Sequence, residues 1–88
     1  MAKIIKTNGE EVTVTPENGK ELSLQQLQDA VEGYIELVPI MNPAHYGTMM
    51  FCNEDGIRLS KGYNPVASDI AGQSIMGNVI ICEQGEVS

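Results

Sequence analysis

Residues 23–38, SLQQLQDAVEGYIELV, decide the fold, because they form a capped helix that runs directly into a strand. Ser23 is a favourable N-cap, and Gln26 stands three residues later, which predicts a capping box. The apolar residues of this segment recur at helical spacing and predict one buried stripe. The stripe consists of Leu24, Leu27, Ala30 and Val31.

The helix is expected to end at Gly33, since glycine adopts the positive φ that helix C-termini favour. The residues that follow, YIELV (34–38), are rich in β-branched and aromatic types and predict a strand reaching about Ile40. Pro39 interrupts it and cannot donate a ladder hydrogen bond, which favours an edge strand or a bulge.

The segment before the helix predicts a β-hairpin. AKIIKT (2–7) and EVTVT (11–15) have strand character, and Asn8-Gly9 between them is typical of a two-residue hairpin turn. PENG (16–19) then breaks the sheet before the helix begins.

Two more strands and a short helix are predicted after residue 47. TMMFC (48–52) is almost wholly apolar, as in a strand buried on both faces, and VIIC (79–82) follows a Gly77-Asn78 turn as the last strand. Between them NEDG (53–56) predicts a turn in which Gly56 supplies positive φ. Residues 57–59, Ile-Arg-Leu, could add a short strand.

Asn64 and Pro65 predict the N-cap and first residue of the second helix, roughly Val66 to Ala71, ending at Gly72. The fold class is therefore α+β. We expect a mostly antiparallel sheet of five or six strands, one main helix packed on a face and a second short helix.

Length and composition predict a single domain over residues 1–88, with a frayed polar tail at 83–88. The net charge of −7 argues against binding duplex nucleic acid, whose affinity comes from Lys and Arg on phosphates. An acidic protein can instead mimic DNA, but the acids here are scattered rather than set in a row. A solvated surface is the simpler interpretation.

Cys52 and Cys82 lie in apolar runs and are expected to be buried, reduced thiols. No apolar run approaches the roughly 18 residues of a membrane span, and no signal peptide is recognised. We therefore expect a cytoplasmic protein without membrane contact.

No motif predicts catalysis, a metal or a cofactor. His45 could be paired with Ser60 or Cys52 as base and nucleophile, yet no motif frames either pair, and a solvent-facing loop histidine is favoured. A lone His45 cannot supply a metal site, and glycine-rich phosphate loops are absent from the sequence. We expect no enzyme and no cofactor.

One cluster suggests a ligand site. Four side chains that suit nucleotide binding lie within seven residues: Arg58, Lys61, Tyr63 and Asn64. Arginine can bind an anion through two hydrogen bonds, and lysine supplies a point charge. Tyrosine can stack on a base, and asparagine can hydrogen-bond to the edge of a base. His45 and Tyr46 in the 42–47 loop complete the candidate set for a small nucleotide-like anion. Alternatively, Arg58 pairs with Glu54 or Asp55 across the turn, and Asn64 only caps its helix.

Four stretches carry a family resemblance: GYIELV (33–38), CNEDG (52–56), Asn64 and IMGNVIIC (75–82). Together they resemble a family of small proteins, known as a domain of unknown function, from phages, plasmids and their bacterial hosts. Its members typically have an N-terminal hairpin, a helix ending in Gly-Gly-Tyr-Ile-Glu, then Asn-Glu-Asp/Glu-Gly, a later Asn and a closing Ile-x-Gly-x-Val/Ile strand. Here Glu32 replaces the first glycine of the Gly-Gly pair.

The resemblance implies a mobile-element accessory protein in a bacterial host, and small phage proteins of this kind often antagonise host defence. The first hypothesis is a non-enzymatic protein that sequesters a nucleotide-derived signal in a pocket between subunits. The alternative is an acidic interaction protein that binds and inhibits a host protein.

Assembly into a homo-oligomer is expected, because residues 34–41 and 48–52 carry more apolar side chains than one helix stripe covers. Met41, Met49 and Met50 add adaptable apolar surface. We predict at least a dimer joined through the sheet or its edge. Alternatively, the second helix covers the remaining face and the protein is a monomer.

Overall fold

The computed structural model describes residues 2–56, 58–59 and 61–87, which form a five-stranded antiparallel sheet with one α-helix on each face. The sheet order is β2-β1-β5-β4-β3. The strands are β1 (Ala2–Ile5), β2 (Glu11–Val14), β3 (Ile35–Val38), β4 (Thr48–Asn53) and β5 (Val79–Glu83). The helices are α1 (Leu24–Val31), α2 (Pro65–Ala71) and two short 3-10 helices, Pro43–His45 and Gln84–Glu86. The predicted α+β class is confirmed.

The capping box predicted at the start of α1 is confirmed. Gln26 N donates to Ser23 Oγ over 3.0 Å, and Ser23 N donates to Gln26 Oε1 over 3.1 Å. Leu27, Ala30 and Val31 are buried, but Leu24 is 60 % exposed. The predicted stripe is thus one residue too long, because Leu24 is the first residue of α1 and overhangs the sheet.

The C-terminus of α1 differs from the prediction at one position. The residue with positive φ is Glu32, at 63°, and not Gly33. Gly33 is needed for space instead, since a Cβ there would lie 2.5 Å from Asn53 Nδ2. That amide nitrogen donates to Val31 O over 3.1 Å and to Glu32 O over 3.3 Å. Asn53, the last residue of β4, therefore holds the end of α1 against the sheet.

The two faces of the sheet bury separate apolar clusters. On the first face, α1 packs against Ala2, Phe51, Ile80 and Cys82. On the second, the small residues Ala67 and Ala71 let α2 pack closely on Ile5, Met50, Cys52 and Val79. β4 is therefore buried on both faces, as its apolar sequence predicts. β3 lies at one edge and β2 at the other, which confirms the edge position predicted from Pro39.

The N-terminal hairpin is confirmed, but its two-residue turn is not. Ile5 pairs with Glu11, and Lys6 N donates to Glu10 O over 2.8 Å, which leaves a three-residue loop at 7–9. Only Gly9 in that loop has positive φ, at 89°, whereas a type I′ turn needs positive φ at both central residues.

The turn after β4 also differs from its prediction. Gly56 does not have positive φ, but a Cβ there would lie 2.9 Å from Met76 O, so close packing explains the glycine. Arg58 and Leu59 lie in a turn closed by Leu59 N donating to Asp55 O over 2.8 Å, and not in the predicted strand. Ile57, the first residue of that predicted strand, is outside the described residues.

The C-terminal residues 83–87, predicted as a frayed polar tail, contact the body of the domain. Gln84–Glu86 form a 3-10 helix, and Leu22 N donates to Glu86 O over 2.7 Å beside a parallel bridge between Leu22 and Val87. The apolar Val87 side chain packs against the first-face cluster, which the polar appearance of this segment did not indicate. Ser88 lies outside the described residues.

Candidate functional site

Asn64 is a structural residue that is unavailable to a ligand. Its side chain is fully buried, and Nδ2 donates to Ile5 O over 3.0 Å and to Gly77 O over 2.9 Å. Oδ1 accepts from Ala67 N over 3.0 Å, which is the predicted N-cap of α2. The amide thereby joins α2, β1 and the turn before β5. The alternative interpretation of Asn64 as a cap is confirmed, and its role as base-edge reader is not supported by this burial.

Arg58 forms the ion pair that the alternative interpretation foresaw. Its guanidinium contacts both carboxylate oxygens of Asp55, with Nη2 to Oδ2 at 3.2 Å and Nε to Oδ1 at 3.3 Å. The hydrogen bond and the charge of Asp55 raise the pKa of Arg58, and the side chain remains largely exposed to water. An incoming anion would therefore compete with Asp55 for the guanidinium.

Lys61 and Tyr63 lie on the segment that follows, beside the turn before β5. Lys61 Nζ lies 3.7 Å from Glu32 Oε1, and its stem packs so closely on Gly77 that a Cβ there would lie 2.9 Å from Lys61 Cβ. Tyr63 pairs with Met76 in an antiparallel bridge while its side chain is 54 % exposed. Both groups reach solvent, and the ammonium already has a carboxylate neighbour.

His45 and Tyr46 lie at the opposite end of β4 from Arg58 and Lys61. They precede Thr48, the first residue of β4, whereas the Arg58 turn follows Asn53, the last. The six-residue strand β4 lies between the two groups, and its own ends are roughly 17 Å apart at about 3.3 Å per residue. One small ligand on a single chain cannot contact both groups, so the predicted six-residue set divides into two places.

His45 is also remote from Cys52, one of the two nucleophiles with which it could have been paired. It ends the Pro43–His45 3-10 helix before β4, while Cys52 lies near the far end of that strand, beneath α2. Ser60, the other candidate, is outside the described residues.

The described cations are largely neutralised by neighbouring acids. Besides the Arg58 and Lys61 pairs, Lys3 lies 3.2 Å from Glu11 and Lys6 lies 3.2 Å from Glu10. Four of the five basic side chains thus have a carboxylate within 4.0 Å, while the net charge is −7. The outer surface is consequently dominated by unneutralised acids, which disfavours anions and attracts cations.

An apolar groove opens on the first face of the sheet, between α1 and the edge strand β3. Its floor is Met49 and Val87, which line both halves of the groove. Three exposed side chains rim it: Leu24 at 60 %, Leu37 at 54 % and Tyr46 at 66 % exposure. α1 is only eight residues long, and it borders this part of the sheet with Leu24 and Leu27 without covering it. The groove is therefore apolar surface that the fold leaves open.

A smaller acidic cleft lies across β3, on the second face, between the edge strand and residues 73–76. It encloses about 200 Å³ and carries Glu36 and Glu54 together with Gln73 and Ser74. Cys52 Sγ lies 4.0 Å from Glu36 Oε1, and burial followed by this carboxylate raises the pKa of the thiol. Because the thiol stays protonated at neutral pH, the cleft offers carboxylates rather than a nucleophile.

Sequence reasoning missed the groove and the cleft, although it named Tyr46. Leu24 was assigned to the buried stripe of α1, yet it lies at a rim. Leu37 lies in the 34–41 segment, whose apolar side chains were expected to exceed what one helix covers. The available signal was Pro39: an edge strand leaves one flank open, so side chains on both of its faces are only partly covered.

Two further observations concern the described residues. Over 2–56, 58–59 and 61–87, no group of three or more His, Cys, Asp or Glu side chains is placed to hold a metal ion. Within the same ranges, neither α-helix has the length and apolarity required to cross a membrane.

The fold and the two surfaces define a small α+β domain, with a helix on each face of an antiparallel sheet and an open edge strand. The chain belongs to the family described as Domain of unknown function (DUF3846), which matches residues 2–88. The resemblance to a small domain-of-unknown-function family is thereby confirmed. No curated protein and no solved structure matches the chain.

Proposed function

We propose that this protein is a non-enzymatic binding protein that engages another protein through the apolar groove. The observation that carries the proposal is the exposure of Leu24, Leu37 and Tyr46 around a common apolar floor. Contiguous exposed apolar surface is characteristic of protein-binding sites. A chain of 88 residues has little apolar material to spare, which makes an open groove at this place significant.

The charge of the molecule supports a partner with a basic surface. The net charge of −7 would speed encounter with such a partner, and the rate would fall as salt screens the attraction. In the setting implied by the family resemblance, the partner is a host protein that a phage or plasmid product inhibits. We propose that this inhibition interferes with host defence.

A pair of matched variants tests the groove. Leu37→Asp places a charge on its rim, and Val12→Asp places the same charge on an exposed apolar residue of β2, the opposite edge strand. Tagged wild-type protein and both variants would be used to capture partners from bacterial lysate at low and high salt. The captured partner is then purified, and its affinity is measured by titration calorimetry.

We expect Leu37→Asp to weaken binding of the purified partner at least tenfold and Val12→Asp to leave its affinity unchanged. Equal loss in both variants would show that the effect is not specific to the groove and would contradict the proposal. Circular dichroism of each variant shows whether the sheet is intact before affinities are compared.

A second candidate function is the capture of a small nucleotide-derived anion at a subunit boundary. The observation that favours it is the position of Arg58, Lys61 and Tyr63 on one solvent-facing loop. Asn64 is buried and no longer belongs to this set. The ligand would have to displace Asp55 from Arg58, so Asp55→Asn should strengthen binding and Arg58→Ala should abolish it.

Titration calorimetry with cyclic dinucleotides and cyclic ADP-ribose isomers is the direct test. A dissociation constant weaker than about 100 μM for all of them rejects this second candidate. Binding that is unaffected by Asp55→Asn and Arg58→Ala would show that the anion binds elsewhere.

A further inference from the structure

The open flank of β3 has two residues whose backbone groups point away from the sheet. Glu54 N donates to Tyr34 O over 3.0 Å, and the register pairs Glu36 with Cys52 and Val38 with Met50. In an antiparallel ladder, alternate residues turn their N–H and C=O toward the partner strand. Tyr34, Glu36 and Val38 therefore face β4, and the N–H and C=O groups of the residues between them face outward. These residues are Ile35 and Leu37.

Both ends of this open window are closed. Pro39, the next outward position, has no N–H, and its carbonyl accepts from Gln73 Nε2 over 2.8 Å. Gly33, the preceding outward position, already donates its N–H to Gln28 O over 3.1 Å. A strand added to the sheet here would thus make about four backbone hydrogen bonds, to Ile35 and Leu37.

The side chains of an added strand would meet two different surfaces. Those opposite Ile35 and Leu37 lie on the first face, beside the apolar groove. Those opposite Glu36 lie on the second face, beside the acidic cleft with Glu54. Since side chains alternate along a strand, one segment would have to present apolar and cationic residues in turn.

We propose that β3 binds an extended segment of a partner protein in which apolar residues alternate with Lys or Arg. The segment adds a sixth strand to the sheet, places its apolar residues in the groove and its basic residues at Glu36 and Glu54. This inference rests on the proposed function and names the partner segment that the same region would recognise.

Antiparallel pairing of β3 with a second copy of itself is disfavoured in each of its three registers. With Leu37 opposite Ile35 of the other copy, the two Glu36 carboxylates face one another. With Leu37 opposite Leu37, Ile35 meets Pro39, which has no N–H to donate. With Ile35 opposite Ile35, Leu37 meets Gly33, whose N–H is already used. A cation opposite Glu36 removes the repulsion between the two Glu36 carboxylates. This favours a basic partner segment over a second copy of the chain.

The test uses short synthetic peptides with the intact protein. The probe is acetyl-Lys-Val-Lys-Ile-Lys-Val-Lys-amide; its controls are the same peptide with Glu in place of each Lys and a peptide of identical composition with the apolar residues in one block. Binding is measured by titration calorimetry and by backbone NMR, with amide exchange followed at Ile35 and Leu37. We expect the alternating basic peptide to bind with Kd on the order of 10–100 μM and to slow exchange at both amides.

Two charge reversals complete the test. Glu36→Lys should weaken binding of the alternating basic peptide at least tenfold. Glu11→Lys, the same charge change in the opposite edge strand, should leave the affinity within twofold of the wild-type value. If the control peptide with its apolar residues in one block binds equally well, or if both variants lose the same affinity, the proposal is overturned in favour of non-specific electrostatics. No peptide binding, or unchanged exchange at Ile35 and Leu37, overturns it as well.

The same data separate this inference from the proposed function. If Leu37→Asp abolishes binding of a captured partner while that partner leaves the Ile35 and Leu37 amides exchanging freely, the groove functions without strand addition. If both amides are already protected in the free protein and the protection is lost on dilution, a second copy occupies the edge and this inference is wrong.

Discussion

At the scale of single residues, the buried amide of Asn64 is the most consequential contact. Asn64→Ala would remove three buried hydrogen bonds to backbone groups: those to Ile5 O, Gly77 O and Ala67 N. Each unsatisfied buried group is costly, and the cap of α2 is lost as well. We expect the free energy of unfolding to fall by about 3 kcal/mol, measured by urea denaturation.

Asn42 provides the matched control for that prediction. It also caps a helix, accepting from Ala44 N over 3.1 Å and donating to Asp69 O over 3.1 Å, but in a solvent-exposed setting. Water can replace both partners, so Asn42→Ala should lower the unfolding free energy by less than about 1 kcal/mol. Equal losses at the two positions would show that the burial of Asn64 adds nothing.

Glu32 has an unfavourable backbone conformation, with φ at 63°. Left-handed backbone is unfavourable for residues other than glycine, so Glu32→Gly should raise the free energy of unfolding by about 1 kcal/mol. The ion pair lost with Lys61 is long, at 3.7 Å, and solvent-exposed on the Glu32 side, so it offsets little of this gain. Asp29→Gly, within α1, should instead destabilise by roughly 0.5 kcal/mol, from lower helix propensity and the lost hydrogen bond with Gln25.

Thermal or urea unfolding of the wild type, Glu32→Gly and Asp29→Gly measures the sign of each change in the free energy of unfolding. Destabilisation by both glycines would mean that Glu32 is not strained. The expected opposite signs would also account for the Gly-Gly pair that the family resemblance implies at 32–33: the first position needs positive φ and the second needs space beside Asn53.

Local chemistry allowed some of these residues to be predicted and concealed others. The cap Ser23 follows from Gln26 three residues on, and the cap Asn64 follows from the adjacent Pro65, so a single sequence reveals both. The second role of Asn64 depends on Ile5 O, 59 residues distant in the chain, and no local pattern reports such a contact. The same holds for Gly33 and Asn53, whose packing joins the end of α1 to the end of β4.

At the scale of elements, β5 contains a thiol that links stability to pH. Burial, followed by the charge of Glu86, raises the pKa of Cys82 from 9.0 to about 11. The unfolded chain therefore releases this proton first as pH rises. The stabilisation that protonation gives is complete below pH 9 and is lost as pH approaches 11.

We expect the free energy of unfolding to fall more steeply between pH 9 and 11 in the wild type than in Cys82→Ala. Urea denaturation at intervals of pH measures both slopes. Other groups titrate in the same range, but they are common to both proteins. Parallel slopes would show that the Cys82 thiol is not shielded from water.

Element positions were predicted well where periodicity was strong. The α1 and β4 patterns gave the correct type and nearly correct bounds, because one is amphipathic and the other wholly apolar. Loop geometry was less predictable. Asn8-Gly9 suits both two- and three-residue loops, and only the pairing of Ile5 with Glu11 distinguishes them. The docking of Val87 beside Leu22 likewise depends on tertiary contact.

At the scale of the whole molecule, the question of assembly has a direct measurement. The sequence predicts at least a dimer, since residues 34–41 and 48–52 carry more apolar side chains than one helix stripe covers. In the structure, the apolar groove and several exposed apolar side chains are uncovered. Light scattering at about 10 μM should then give a multiple of 9.5 kDa. A mass near 9.5 kDa would refute the dimer and weaken the subunit-boundary anion pocket with it.

The position of α2 bears on that measurement. It covers the second face of the sheet, as the monomer alternative requires, whereas the groove on the first face stays open. Sequence alone could not assign α2 to a face, because the small residues Ala67 and Ala71 carry little periodic signal. A dimer that forms through the groove would be disrupted by Leu37→Asp and not by Val12→Asp.

The central position of β5 in the sheet has a consequence for the nascent chain. β1 and β2 are synthesised first, yet β1 joins the sheet only through β5, where Ile4 pairs with Ile80. Ribosomes add about 5–20 residues per second, so the hairpin waits several seconds with one flank unpaired. Contacts of such long sequence separation also slow folding after release. We therefore expect chains stalled before residue 79 to recruit ribosome-associated chaperones, and the order of synthesis to limit how quickly the native sheet accumulates.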